Sequence, residues 1–211
     1  MGSGVRFLSL HSPSISYKPS ERIMPNEYAT RDELKTHTSI ADALDDDNLD
    51  IALEAASRHI DALCGRRFYA DSVATARTYT PANDLYSVFT DDFYTTSGLV
   101  VVSNGTTLVN GTDFELTQYS TYRPYEGLVS FNALYKDKKR KTVSVTAKWG
   151  WTAVPVEIKD ATLILATKLF KRKDAPQGIV GFGDMGGMRL SANDPDVTNL
   201  IAPYRKIQVG L

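Results

Sequence analysis

Several common signals are scarce or missing in this 211-residue chain. There is one cysteine, Cys64, so no internal disulfide can form. The three histidines, His11, His37 and His59, sit at no metal-ligand spacing with Cys or Glu. No apolar run reaches the roughly 18 residues of a membrane-spanning helix. Neither sign of charge dominates: 24 Lys and Arg stand against 25 Asp and Glu, for a formal net charge of −1. The global basic footprint of a nucleic-acid binder is therefore missing. The early apolar stretch from Val5 to Leu10 is too short for a signal-peptide core, and His, Ser and Pro follow it. The expectation is a protein that stays in the cytosol where it is made. No Gly-x-Ser-x-Gly occurs, and no base–nucleophile pair can be nominated. Carboxylates gather at helix starts and turns, where capping and solvation explain them. These absences predict no catalysis, no metal and no cofactor.

The strongest positive signal lies between Asn48 and Tyr69. Leu49, Leu53, Ala56, Ile60 and Leu63 recur at helical spacing and predict one apolar face. Asp50, Glu54, Ser57, Arg58 and Asp61 are expected on the other faces. Asp45 to Asp47 are placed to cap the N-terminus, and Gly65 with Arg66-Arg67 suits the C-terminus. Such a helix needs a packing partner, because an isolated one is marginal in water. The partner follows Pro155, where Ile158, Ala161, Leu165 and Leu169 keep helical spacing, widened by Leu163, Ala166 and Phe170. Lys171-Arg172-Lys173 suits its negative end.

The rest divides around this pair. Residues 1–27 read as a flexible arm. Thr30 to Glu33 has capping-box spacing and opens a short helix; Ser39 to Leu44 reads as another helical turn. Residues 73–150 change to strand periodicity. Val73–Thr80, Leu85–Val88, Leu99–Val102, Thr106–Val109, Phe114–Gln118, Leu128–Phe131 and Thr142–Trp149 predict six or seven strands. Asn104-Gly105 and Asn110-Gly111 mark tight turns. The basic run Lys136–Lys141 reads as an exposed hairpin tip. Residues 28–72 and 151–174 would then form a helical core, with the strands as an insertion. Residues 175–211 form a Gly-rich stretch, a short helix opened by Asp194-Pro195, and a tail. The fold class is α+β: a small helical bundle with an inserted antiparallel β domain and an extended Gly-rich C-terminal region.

Gly181-Phe182-Gly183-Asp184-Met185-Gly186 matches G-x-G-x-x-G letter by letter. A dinucleotide fingerprint needs a preceding strand and a following helix. Here a cationic helix precedes it, so the stretch reads as a loop that orders on assembly. Asn104-Gly-Thr106 and Asn110-Gly-Thr112 match the glycosylation pattern but read as turns without a secretion signal.

The pieces in order resemble a family. They are Tyr28-Ala-Thr30-Arg-Asp-Glu-Leu34, the long helix leading to Cys64-Gly65-Arg66-Arg67-Phe68, the strand–turn run Leu99–Leu116, Trp149-Gly150-Trp151, Val154-Pro155, and the helix Ile158–Phe170. Together they are similar to the head–tail connector, or head-completion adaptor, proteins of long-tailed bacteriophages. The resemblance implies a virion structural protein of the neck. It would form a ring of about twelve copies below the portal. That ring would extend the channel for double-stranded DNA, without sequence-specific binding, and dock the next neck or tail protein. It also implies portal or subunit contacts from the C-terminal region. The candidates are Gly178, Phe182, Met185, Met188, Arg189, Leu200, Ile201, Tyr204, Arg205 and Lys206. Deleting Asp194–Leu211 is then expected to leave a folded monomer that no longer joins portal rings. Rival readings are a stopper or tail-terminator protein, and a nucleotide-binding enzyme using Gly181–Gly186.

Overall fold

The computed structural model describes residues 26–134, 141–172 and 194–206, plus the backbone of 179–180 and 188–189. The N-terminal arm, the basic run before Lys141 and most of the Gly-rich stretch lie outside the described residues. The fold is α+β: helices pack at one end and a six-stranded antiparallel sheet stands on them.

Helix α1 (Arg31–Thr38) starts at the predicted capping box. Thr30 accepts the Glu33 N–H, and Glu33 accepts the Thr30 N–H at 2.8 Å. It stops at Ser39, in the left-handed region, and the helical turn expected over Ser39–Leu44 is instead a run of bends. Helix α2 (Asp46–Cys64) is the long amphipathic element, closed by Gly65 at φ +62°. Its buried stripe is Leu49, Leu53, Ala56, Ile60 and Cys64. Leu63, expected on that stripe, is 37% exposed, because the last step along the helix is four residues rather than three. Helix α3 (Val156–Lys171) packs along α2, as its spacing predicts. Each fully buried Leu or Ile between them contributes about 1.5–3 kcal/mol.

Two polar residues of α2 depart from expectation. Asp50 is buried because Arg31 reaches it from α1 with both Nε (2.6 Å) and Nη2. A bidentate charged pair offsets the desolvation that an unpaired carboxylate would suffer. Ser57 is buried because its Oγ accepts the Tyr28 N–H at 3.2 Å and donates to the Leu53 carbonyl. At the start of α2 the carboxylates act as ion-pair partners more than as caps. Asp45 makes no side-chain cap bond, and Asp46 is held by Lys35 and Arg31.

The sheet runs β1-β6-β2-β5-β4, with β3 paired to β2. Its strands are β1 (Thr75–Tyr79), β2 (Ser87–Ser103), β3 (Thr106–Leu108), β4 (Phe114–Gln118), β5 (Tyr125–Ser130) and β6 (Val143–Trp149). The two stretches expected as separate strands, Leu85–Val88 and Leu99–Val102, are the ends of β2. Its first half pairs with β5 and its second half with β6, with register shifts near Phe93. The polar residues from Thr90 to Ser97 hide that continuity in the sequence. The β2–β3 turn has Asn104 at φ 47° and Gly105 at φ 83°, the positive pair that a tight hairpin needs. Backbone strands β7 (Ile179–Val180) and β8 (Met188–Arg189) pair antiparallel in the Gly-rich region.

Helices and sheet keep separate apolar clusters, and one tripeptide passes between them. Trp149 packs in the sheet core with Val88, Phe93 and Val145; Trp151 packs in the helical core with Phe68, Ile158 and Ile201. Gly150 makes the turn at φ +98°, where a Cβ would collide with the Tyr69 carbonyl oxygen. Above it, Asp92 of β2 is buried. Its carboxylate accepts from Arg66 Nη1 at 2.7 Å and Trp151 Nε1 at 2.7 Å, and its carbonyl accepts the Gly150 N–H. Arg66 also reaches Glu126 of β5 at 3.1 Å. Burial disfavours the Arg66 cation, but the two carboxylates outweigh it and hold its pKa above the ordinary value.

Tyr28 ties the incoming chain to this base: its hydroxyl donates to Asp61 and accepts the Phe68 N–H at 2.9 Å. Beside it, burial and the neighbouring Asp50 and Glu54 raise the Glu27 carboxyl from 4.5 to about 7, against Arg31 and Arg58. The Cys64 thiol, buried under the same cluster, is pushed up to about 11.

Replacing Arg66 with Met leaves the buried Asp92 carboxylate short of its cation and is expected to cost about 3 kcal/mol in urea unfolding. Adding Asp92→Asn should recover part of that loss. Glu27 stays protonated in the folded chain after its unfolded counterpart has ionised. Its contribution to stability therefore falls as pH rises from 4.5 to about 7. Glu27→Gln should remove that slope and raise the thermal midpoint at pH 8, as differential scanning fluorimetry would show.

Candidate assembly surfaces

The C-terminal segment is described from Asp194 onward. The Asp194 side chain accepts the Asp196 N–H at 2.8 Å and pairs with Lys168 of α3. Lys168 lowers the Asp194 pKa and so keeps the cap ionised. Helix α4 (Pro195–Ile201) follows, with proline in its first turn, then a 3-10 turn (Ala202–Tyr204). Val197 and Ile201 are buried against α2 and α3. Tyr204 meets Phe68 edge-on and Trp151 at a tilt, 5.9 and 5.8 Å between ring centres, and donates to Glu157 at 2.8 Å. Burial and that carboxylate raise its pKa to about 12. Arg123, from the loop between β4 and β5, lies between the Tyr119 and Tyr204 rings and donates to the Pro203 carbonyl at 3.0 Å. Finally the Lys206 N–H donates to the Cys64 carbonyl at 2.8 Å, and Lys206 Nζ donates to the Thr90 carbonyl. The C-terminal segment is thus clamped to both helices and sheet up to Lys206.

This placement sorts the sequence-predicted contact residues. Ile201 is fully buried and serves the chain's own core; Leu200 is half-buried beside it. Tyr204 and Lys206 are half-buried in the clamp, and Arg205 is exposed. Gly178, Phe182 and Met185 lie outside the described residues, and Met188 and Arg189 are described only as backbone of β8. Asp194–Leu211, the segment expected to be removable from a folded monomer, carries two residues of the helical core. Removing Val197 and Ile201 would strip one wall from the helical core.

Two depressions flank the clamp. One, of about 710 Å3, lies between the end of α2 and the sheet and carries Arg58, Arg66, Arg77 and Asp61, Asp91, Asp92. Its charges are largely paired with one another: Arg58 with Asp61, Arg66 with Asp92, Arg77 with Asp91. That leaves little free field for an ion, and no metal-holding cluster occurs among the described residues. The second, of about 490 Å3, is a groove on the exposed side of α2, α3 and α4. Apolar Ala55, Leu63, Leu165, Leu169 and Val197 line it together with His59, Thr198, Arg172, Arg205 and the paired Lys168 and Asp194. Leu165 and Leu169 pack against the α2–α3 core as their spacing predicts, and their partly exposed sides also border this groove, which periodicity does not reveal.

The sheet carries an apolar cluster on its outer face. Ser87 pairs with Val129 and Phe89 with Gly127, so Phe89 and Val129 sit diagonally on one side, and Phe131 follows two residues after Val129. Phe89, Val129 and Phe131 are 55%, 38% and 49% exposed. Glu115 lies directly across from Val129 on β4, and Asp91 is two residues beyond Phe89.

No protein-family model matches the chain, and no curated protein matches it. Solved structures do. A chain in the neck of an empty gene transfer agent (GTA) particle, computed with C6 symmetry, aligns over 88% of this chain and 93% of its own length. The TM-score is 0.54 at 16% identity. A chain in the virion of a native GTA particle aligns over the same shares, with TM-score 0.53 at 19% identity. At such identities the likeness establishes a shared fold, spanning nearly the whole of each chain.

Proposed function

We propose that this protein is a non-catalytic structural component of the neck of a phage-like particle. In this reading it acts as a head–tail adaptor: copies form a ring beneath the portal, extend the DNA channel and dock the next neck or tail protein. The observation that carries the reading is the end-to-end fold likeness to a chain from a GTA neck computed with C6 symmetry. The order of sequence elements supports it independently, since it resembles the head–tail connector family. The physical design is compatible. Near-neutral charge suits a channel wall, because a strongly basic lumen would hold passing DNA through many phosphate contacts. A ring built head to tail needs two different surfaces on each subunit. The groove and the outer sheet face are two such surfaces.

Particles made without this protein should accumulate as DNA-filled heads lacking tails, counted by negative-stain electron microscopy. Tailed particles in normal numbers would refute the neck role. The adaptor assignment, against a stopper or tail terminator, rests on portal contact from the end of the chain. Stopping the chain after Lys206 spares the clamp, so thermal stability should stay within about 2 °C of the full chain. Binding to isolated portal rings in a pull-down should be lost. A chain ending before Asp194 should instead unfold at a markedly lower temperature.

A further inference from the structure

We infer that the contact between neighbouring copies is a knob-in-groove joint: Phe89 and Phe131 of one copy enter the α2–α3–α4 groove of the next. The inference rests on the ring reading above and names the surfaces that build the ring.

Three observations meet here. First, the groove has a largely apolar lining and is open to solvent. Leu63 is 37% exposed, and Ala55 keeps the α2 side low enough for an incoming ring. Second, the sheet offers a complementary projection. Phe89 stands over Gly127, which has no side chain to flank it, and Val129 and Phe131 extend the cluster along β5. Large aromatic side chains left half exposed are the residue type that anchors protein interfaces. Third, the margins carry opposite charge. Arg172 and Arg205 border the groove, while Glu115 borders the aromatic cluster. Arg172, Arg205 and Glu115 make no ion pair among the described residues.

A second copy is the occupant that satisfies all three, because one chain carries both halves. The groove lies on the helices, while Phe89 lies on β2 and Phe131 just after β5. Each copy therefore offers a knob to one neighbour and a groove to the other. That arrangement is heterologous rather than two-fold, the type of contact that builds a ring when the rotation between copies closes. Opposite margins fix the register and disfavour groove-to-groove pairing.

The test uses the full chain. Phe89→Asp with Phe131→Asp on one side, and Leu63→Asp on the other, should each weaken self-association by about 100-fold in sedimentation equilibrium. Circular dichroism and thermal midpoint should match the parent, since all three positions face solvent. Glu115→Arg and Arg172→Glu should each weaken assembly, and the two together should restore it.

A cysteine trap covers the case in which the isolated chain does not form stable rings. In a Cys64→Ala background, Leu63→Cys with Phe131→Cys should give a ladder of disulfide-linked oligomers on oxidation, and neither change alone should go beyond dimers. A ladder without rings keeps this joint and removes the ring. Rings that persist in the Asp variants, or an absent ladder at high protein concentration, overturn the joint whether or not the neck role stands. If a Leu63→Cys thiol becomes open to a maleimide reagent only after residues 1–25 are deleted, the chain's own arm fills the groove and the inference falls.

Discussion

Asp92 is where the two halves of this fold are joined. A carboxylate buried in a strand would be expelled unless something charged met it, and Arg66 meets it from the end of the long helix. Trp151 donates to the same carboxylate from the start of the helical return, and the Gly150 N–H bonds the Asp92 backbone. Two segments far from β2 in sequence, the end of α2 and the Gly150-Trp151 step, therefore converge on one of its residues. The two hydrophobic clusters are separate, so packing alone would leave a hinge between them. The ion pair and the indole bond supply direction, which apolar contact does not.

The Trp149-Gly150-Trp151 step shows how backbone and side chains share that work. Two large indoles separated by a single residue serve different cores. Only a residue without a Cβ can pass under the Tyr69 carbonyl while making the turn. The C-terminal segment then repeats the logic from the other side. Its apolar residues enter the helical core, while Arg123 and Lys206 bind it to the sheet. Bracing of this kind keeps the sheet and the helices from rocking apart.

Much of the architecture was legible in residue order. The capping box at Thr30, the α2–α3 pair, the Asn-Gly turn at Asn104 and the Asp194-Pro195 start all follow from local chemistry that acts within a few residues. The contact surfaces were much less legible. Ile201 has the composition of an interface residue and lies in the chain's own core, whereas Leu165 and Leu169 have the spacing of core residues and border an open groove. Helical periodicity identifies which residues share a stripe; it does not say how wide a strip the partner covers.

What the sequence determined by itself was therefore the set of elements and their order, because caps, turns and periodicity are short-range effects. Tertiary structure decided which polar residues would be buried. Asp50, Ser57 and Asp92 look like surface residues until Arg31, Tyr28 and Arg66 are brought to them across 19, 29 and 26 positions. Burying a polar group is favourable only when its partner arrives, and that arrival is a property of the folded chain. The same is true of the groove and the outer sheet face, whose exposure depends on what the other elements leave uncovered.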